Sequence, residues 1–84
     1  MIRIRYFARL RETLGTADEE LAALAELATV ADLVAHLRGR GGVWAQTLAP
    51  GERLMVAVNQ ELAHPQTCVR DADEVALFPP VTGG

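Results

Sequence analysis

The run Ile2-Arg3-Ile4-Arg5-Tyr6-Phe7 alternates apolar and charged side chains with a period of two, which predicts a strand with one buried face. Ile2, Ile4 and Tyr6 share the inward face, and Phe7 falls outside on the parity of Arg3 and Arg5. Ala8 to Gly15 connects this strand onward, with room for one helical turn before Gly15-Thr16. Asp18-Glu19-Glu20 then leads into an Ala- and Leu-rich stretch reaching Leu27. Its propensity is helical, but a strand returning through Gly15-Thr16 is expected, because another helix starts immediately afterwards.

That helix is better marked. Thr29 and Asp32 have the spacing of a capping box. Val30, Leu33, Val34 and Leu37 recur at i, i+3, i+4, i+7 and form one apolar stripe. Gly39 stands where a left-handed cap favours glycine, which predicts roughly ten residues and about 15 Å of helix. Val43 to Leu48 is expected to form a short helix, with Trp44 over one end of the core. Ala49-Pro50-Gly51-Glu52 turns the chain into Leu54-Met55-Val56-Ala57-Val58, a strand with Leu54, Val56 and Val58 on one face. Asn59-Gln60 reads as a tight turn, Glu61-Leu62-Ala63 as a very short strand, and Asp71-Ala72-Asp73 as the turn into the last strand. In that last strand Val75 and Leu77 share one face, Ala76 and Phe78 the other.

The order is strand, strand, helix, strand, short strand, strand. It predicts an α+β fold, the β-grasp or ubiquitin-like roll: a mixed sheet of about five strands with one main helix packed across it. The first and last strands run parallel at its centre, which needs the long crossover the helix supplies. Residues 1–80 form that domain and residues 81–84 a flexible tail. Phe7 and Phe78 then lie on the sheet face opposite the helix, with Leu62 at its edge. Large apolar residues clustered outside a small domain mark a partner site.

Composition narrows the function. Eighty-four residues hold one domain, and half of them are hydrophobic, enough for a compact core but not for a deep cleft as well. A net charge of −3 argues against nucleic-acid binding. No apolar run approaches the ~20 residues of a membrane helix, and the start lacks a signal-peptide block, so a cytoplasmic location is expected. All eight basic residues are Arg, so no side chain here can form an isopeptide as a lysine does. Cys68 is the only cysteine, which excludes an internal disulfide and leaves it as a small packing residue. His36 and His64 lack partners at ligand spacing and read as surface residues, so no metal site is expected.

The chemistry gathers at the end. Pro79 and Pro80 donate no ladder hydrogen bond and fix φ, so they end the last strand and stiffen its exit. Val81-Thr82-Gly83-Gly84 then reaches at most about 13 Å. Two terminal glycines remove every side chain beside the carboxylate, so backbone can lie against backbone in a narrow channel. The α-carboxylate of Gly84 is the candidate reacting group.

The run Asp73-Glu74-Val75-Ala76-Leu77-Phe78-Pro79-Pro80-Val81-Thr82-Gly83-Gly84 resembles the ending of the small subunit of molybdopterin synthase, the MoaD-type sulfur carriers. Tyr6-Phe7-Ala8 with Arg11-Glu12, Gly15-Thr16, Thr29-Val30 and Ala57-Val58-Asn59-Gln60 extend the resemblance over most of the chain. The Ala-rich second strand is one departure from it. The resemblance implies that an adenylating enzyme related to the ubiquitin activators uses ATP to adenylate the Gly84 carboxylate. A sulfur donor protein then converts the adenylate to a thiocarboxylate. It implies docking on the large synthase subunit, in a heterotetramer, through Phe7, Leu62 and Phe78. Pro79, Pro80, Val81, Thr82 and Gly83 thread the tail into that subunit's active site, where sulfur passes to precursor Z, cyclic pyranopterin monophosphate. The chain is then the sulfur-donating half of an enzyme and not catalytic alone. It binds no cofactor, having no Gly-rich phosphate loop. Alternatives are a sulfur carrier for thiamine thiazole or another pathway, a ubiquitin-like protein modifier, and a structural interaction domain.

Overall fold

The computed structural model describes residues 1–80, so the expected tail at 81–84 lies outside the described residues. The chain forms β1 (Ile2–Tyr6), α1 (Ala8–Leu14), β2 (Asp18–Leu21), α2 (Val30–Arg38), α3 (Gly42–Thr47), β3 (Met55–Val58), β4 (Glu61–Leu62) and β5 (Glu74–Phe78). The five strands make one mixed sheet in the order β2-β1-β5-β3-β4. β1 and β5 pair in parallel at its centre, with Ile4 opposite Val75 and Tyr6 opposite Leu77. β3 runs antiparallel to β5, and β2 antiparallel to β1.

The alternation in β1 places Ile2, Ile4 and Tyr6 in the core, joined by Val75 and Leu77 of β5 and Val56 of β3. Against them α2 buries the full stripe Val30, Leu33, Val34 and Leu37. Ile4, Leu33, Leu37, Val75 and Leu77 have no exposed surface at all. Truncating a leucine in such a setting costs about 3–5 kcal/mol, a large share of a domain's 5–15 kcal/mol. The capping box is complete: Asp32 N–H donates to Thr29 Oγ1 at 3.2 Å, and Thr29 N–H donates to Asp32 Oδ2 at 3.1 Å.

Four local expectations are corrected. The Ala8–Gly15 connection is α1, seven residues long, because Leu10 and Leu14 sit four apart and both bury, while Gly15 caps it at φ 74°. The second strand ends at Leu21, and the remaining Ala-rich residues turn through hydrogen bonds from Leu24 N–H to Ala22 O and from Leu27 N–H to Leu24 O. Gly39 is right-handed, at φ −63°; the left-handed residue is Gly41, φ 78°, where the chain reverses into α3. Cys68 is exposed, since its neighbour Val69 takes the core position as the pair crosses Thr29 in a single bridge.

One polar cluster closes the β2 edge. Glu19 faces inward opposite Ile4, where Tyr6 Oη donates to its Oε2 at 2.8 Å. Arg40 reaches across from beyond α2 and grips both carboxylate oxygens, at 2.9 and 2.6 Å. The guanidinium stacks 4.5 Å from the Trp44 ring centroid, and Trp44 meets Tyr6 edge-on at 5.6 Å. Hydrogen bonding from Arg40 holds the Glu19 carboxyl below the usual carboxylate range, while burial, reinforced by Glu19, pushes the Tyr6 hydroxyl well up.

Candidate functional site

Strand β5 carries the candidate site at its far end, and its near end is pinned. Asn59 and Gln60 form the β3–β4 turn with φ of 50° and 71°, the left-handed pair such a two-residue turn demands. The Asn59 side chain donates to Asp73 Oδ1 and accepts from Glu74 N–H, both at 3.0 Å. Asp73 Oδ2 accepts from Arg70 N–H at 2.8 Å. Entry into β5 is thereby fixed, and the parallel ladder with β1 fixes its course to Phe78.

The three residues expected on the outer face are where strand parity put them. Leu62 lies opposite Ala57, which in turn lies opposite Ala76; Phe78 lies opposite Met55. Phe7 stands one residue past the Tyr6–Leu77 pair with extended backbone, so it continues the alternation beside Phe78. Leu62 is 71% exposed and Phe7 37%, while Phe78 is half-buried. Together with Met55 and the two alanines they make an apolar band across β4, β3 and β5. Its border is charged: Arg5 pairs with Glu74 at 3.2 Å and lies 5.2 Å over the Phe7 ring, and Arg3 pairs with Asp18.

Met55 and Ala76 were within reach of the sequence, since both alternate with core positions. The stacking of Arg5 on Phe7 was not, because it depends on side-chain conformation. Pro79 and Pro80 follow Phe78 directly and are half-buried. Val81, Thr82, Gly83 and Gly84, the rest of the expected site, lie outside the described residues. Among the described residues no three His, Cys, Asp or Glu side chains are grouped to hold a metal ion, and no helix is long and apolar enough to cross a membrane.

The family model described as the ThiS family matches residues 4–84. The chain belongs to the ThiS family. Two curated relatives align over their whole length: the molybdopterin synthase sulfur carrier subunit of Escherichia coli (strain K12), 46% identical with 100% of both chains covered, and that of Haemophilus influenzae, 39% identical with the same coverage. Among solved structures the chain is similar to SAMP1, small archaeal modifier protein 1, from Haloferax volcanii, with 31% identity, a TM-score of 0.77, and 99% of this chain and 98% of that one covered. The fold is thus the ubiquitin-like β-grasp that the element order predicts, here as a ThiS-family domain.

Proposed function

We propose that this chain is the sulfur carrier subunit of molybdopterin synthase. The observation that carries the reading is full-length identity of 46% and 39% to proteins of that name. It is supported by the run Phe78-Pro79-Pro80-Val81-Thr82-Gly83-Gly84, in which the diproline follows the apolar band and Gly83-Gly84 comes two residues later in the sequence. In this reading the Gly84 carboxylate attacks the α-phosphorus of ATP in an adenylating enzyme, and pyrophosphate leaves. The terminal sulfur of a sulfur donor protein then attacks the acyl carbon and AMP leaves; a thiol reductant cleaves the bond that still joins this sulfur to its donor, which releases the thiocarboxylate. The band of Phe7, Leu62 and Phe78 docks on the large synthase subunit. Pro79 and Pro80 aim the tail, and Val81, Thr82 and Gly83 thread it into that subunit's active site. There the sulfur is delivered to precursor Z, and two such deliveries make one dithiolene.

The division of labour follows from chemistry. A carboxylate is a poor electrophile until it carries a leaving group, and a thiocarboxylate is a soft nucleophile free of bulky neighbours. Delivery on a tethered end substitutes effective molarity for free sulfide. ATP is consumed by the activating enzyme, this chain holds no cofactor, and the exchange takes place in the cytoplasm. The test combines the chain with adenylating enzyme, ATP, a sulfur donor, a thiol reductant, large subunit and precursor Z. Intact mass should show one oxygen replaced by one sulfur at the C-terminus, and removing Gly84 should abolish molybdopterin formation without changing the melting temperature. Transfer that survives loss of Gly84 refutes the reading.

A second reading, a protein modifier, draws on the likeness to SAMP1. It predicts covalent conjugates of higher mass in cells in place of the thiocarboxylate. With no lysine of its own, the chain could then be only the donor to a lysine acceptor.

A further inference from the structure

Of the eight arginines, Arg3, Arg5 and Arg40 are ion-paired, and Arg38 donates to the Leu48 carbonyl at 2.8 Å. Arg9, Arg11, Arg53 and Arg70 make no ion pair among the described residues. Two of these four are brought together by the fold. Arg9, from the first turn of α1, and Arg53, from the segment entering β3, line one concavity of about 290 Å³. Pro79, where the chain leaves β5, forms part of its wall, with Thr13 and Gln46 beside it. Glu52 also lines it and bonds to neither arginine.

We propose that this concavity receives carboxylate side chains of the large synthase subunit at the mouth of the channel that takes the tail. The inference rests on the sulfur-carrier reading and adds a recognition element to it. Continuity supports it: Arg9 is two residues past Phe7, Arg53 is two residues before Met55, and Pro79 follows Phe78. The concavity, walled by α1 and α3, therefore adjoins the end of the apolar band at which the chain leaves β5. Charge supports it as well. The chain carries a net −3, so two arginines beside the single carboxylate of Glu52 leave a local excess of positive charge at the exit. Such an excess orients an encounter more than it strengthens the bound state. Reach decides what they meet. Four extended residues span at most ~13 Å beyond Pro80, so a partner that takes the tail brings its own surface within that distance of the exit beside the two arginines.

The test measures association and dissociation of the chain with purified large subunit at low and high salt. Three proteins are compared: wild type, the double variant Arg9→Ala/Arg53→Ala, and Arg70→Ala as a control. Arg70 borders a separate concavity with Asp73, at the β5 end opposite the exit. The double variant should associate roughly tenfold more slowly at low salt. The deficit should vanish at high salt, where screening shortens to a few ångströms, and dissociation and melting temperature should be unchanged. Arg70→Ala should associate like wild type. Equal rates for wild type and the double variant, or an equal loss in Arg70→Ala, overturn the inference and leave the carrier reading standing. Wild-type chain that binds no large subunit overturns both.

Discussion

Replacing Glu19 with glutamine tests whether the polar cluster at the β2 edge holds the domain together. The carboxylate accepts three hydrogen bonds, one from Tyr6 and two from Arg40. Glutamine retains one acceptor oxygen, turns an NH₂ toward a donor, and removes the charge. A hydrogen bond to a charged group contributes about 1.5–3 kcal/mol. Solvent still reaches the pair, since the side chains of Arg40 and Glu19 are 31% and 22% exposed, which discounts the electrostatic part. The expected loss is about 1–2 kcal/mol, or roughly 4–16 °C in melting temperature at this size. Calorimetry or circular dichroism of both proteins against pH checks the origin. The Glu19 carboxyl is held below its ordinary range, so its contribution is present above that range, near pH 4.3, and is lost as pH falls through the lowered value. The gap between wild type and Glu19→Gln should therefore close in acid. At the alkaline end the raised Tyr6 keeps its proton while an unfolded tyrosine ionises near pH 10. Stability should fall above that pH in wild type and not in Tyr6→Phe. Equal melting of wild type and Glu19→Gln at neutral pH, or a gap that persists unchanged in acid, refutes the reasoning.

Two further outcomes follow from local geometry. Ala72 sits at φ 75° in the turn before β5. Ala72→Gly relieves a left-handed strain of about 1–2 kcal/mol against a smaller entropic penalty, so a denaturant titration should show a gain of a few tenths to about 1 kcal/mol. Phe78→Ala should weaken binding to the large subunit by about 2 kcal/mol, as for an anchor at an interface. Being half-buried, it should cost less in folding than the 3–5 kcal/mol of a core phenylalanine; the reverse ordering in a calorimetric comparison would place it in the core.

What could be read from sequence was whatever repeats with a period. The β1 alternation, the α2 stripe and the Val75/Leu77 parity recur along one segment, and together they dictate a central parallel pair with a helix across it. The apolar band followed by subtraction, since Phe7, Leu62 and Phe78 were the large residues left on the wrong side. Features made by pairs of distant segments stayed hidden. In α1 the Leu10–Leu14 spacing is a single repeat among Arg and Glu, too short to outweigh a loop. Glu19 looked like part of an acidic approach to a strand, because its partners, Tyr6 and Arg40, are 13 and 21 residues away. Gly39 carried the right residue type for a cap, but Gly41, two positions on, takes the left-handed turn. The concavity of Arg9, Arg53 and Pro79 joins three stretches that no local pattern connects.

Parallel pairing of the first and last strands puts the start of β1 and the exit from β5 at opposite poles of the molecule. Met1 lies at the opposite pole from the exit, its ammonium ion-paired with Asp71 and its carbonyl accepting from Ala72 N–H. One strand length, about 16 Å, separates the two poles. A fluorophore, purification tag or solid support joined ahead of Met1 is thus kept clear of the exit at Pro79 and Pro80 and of any partner that binds there.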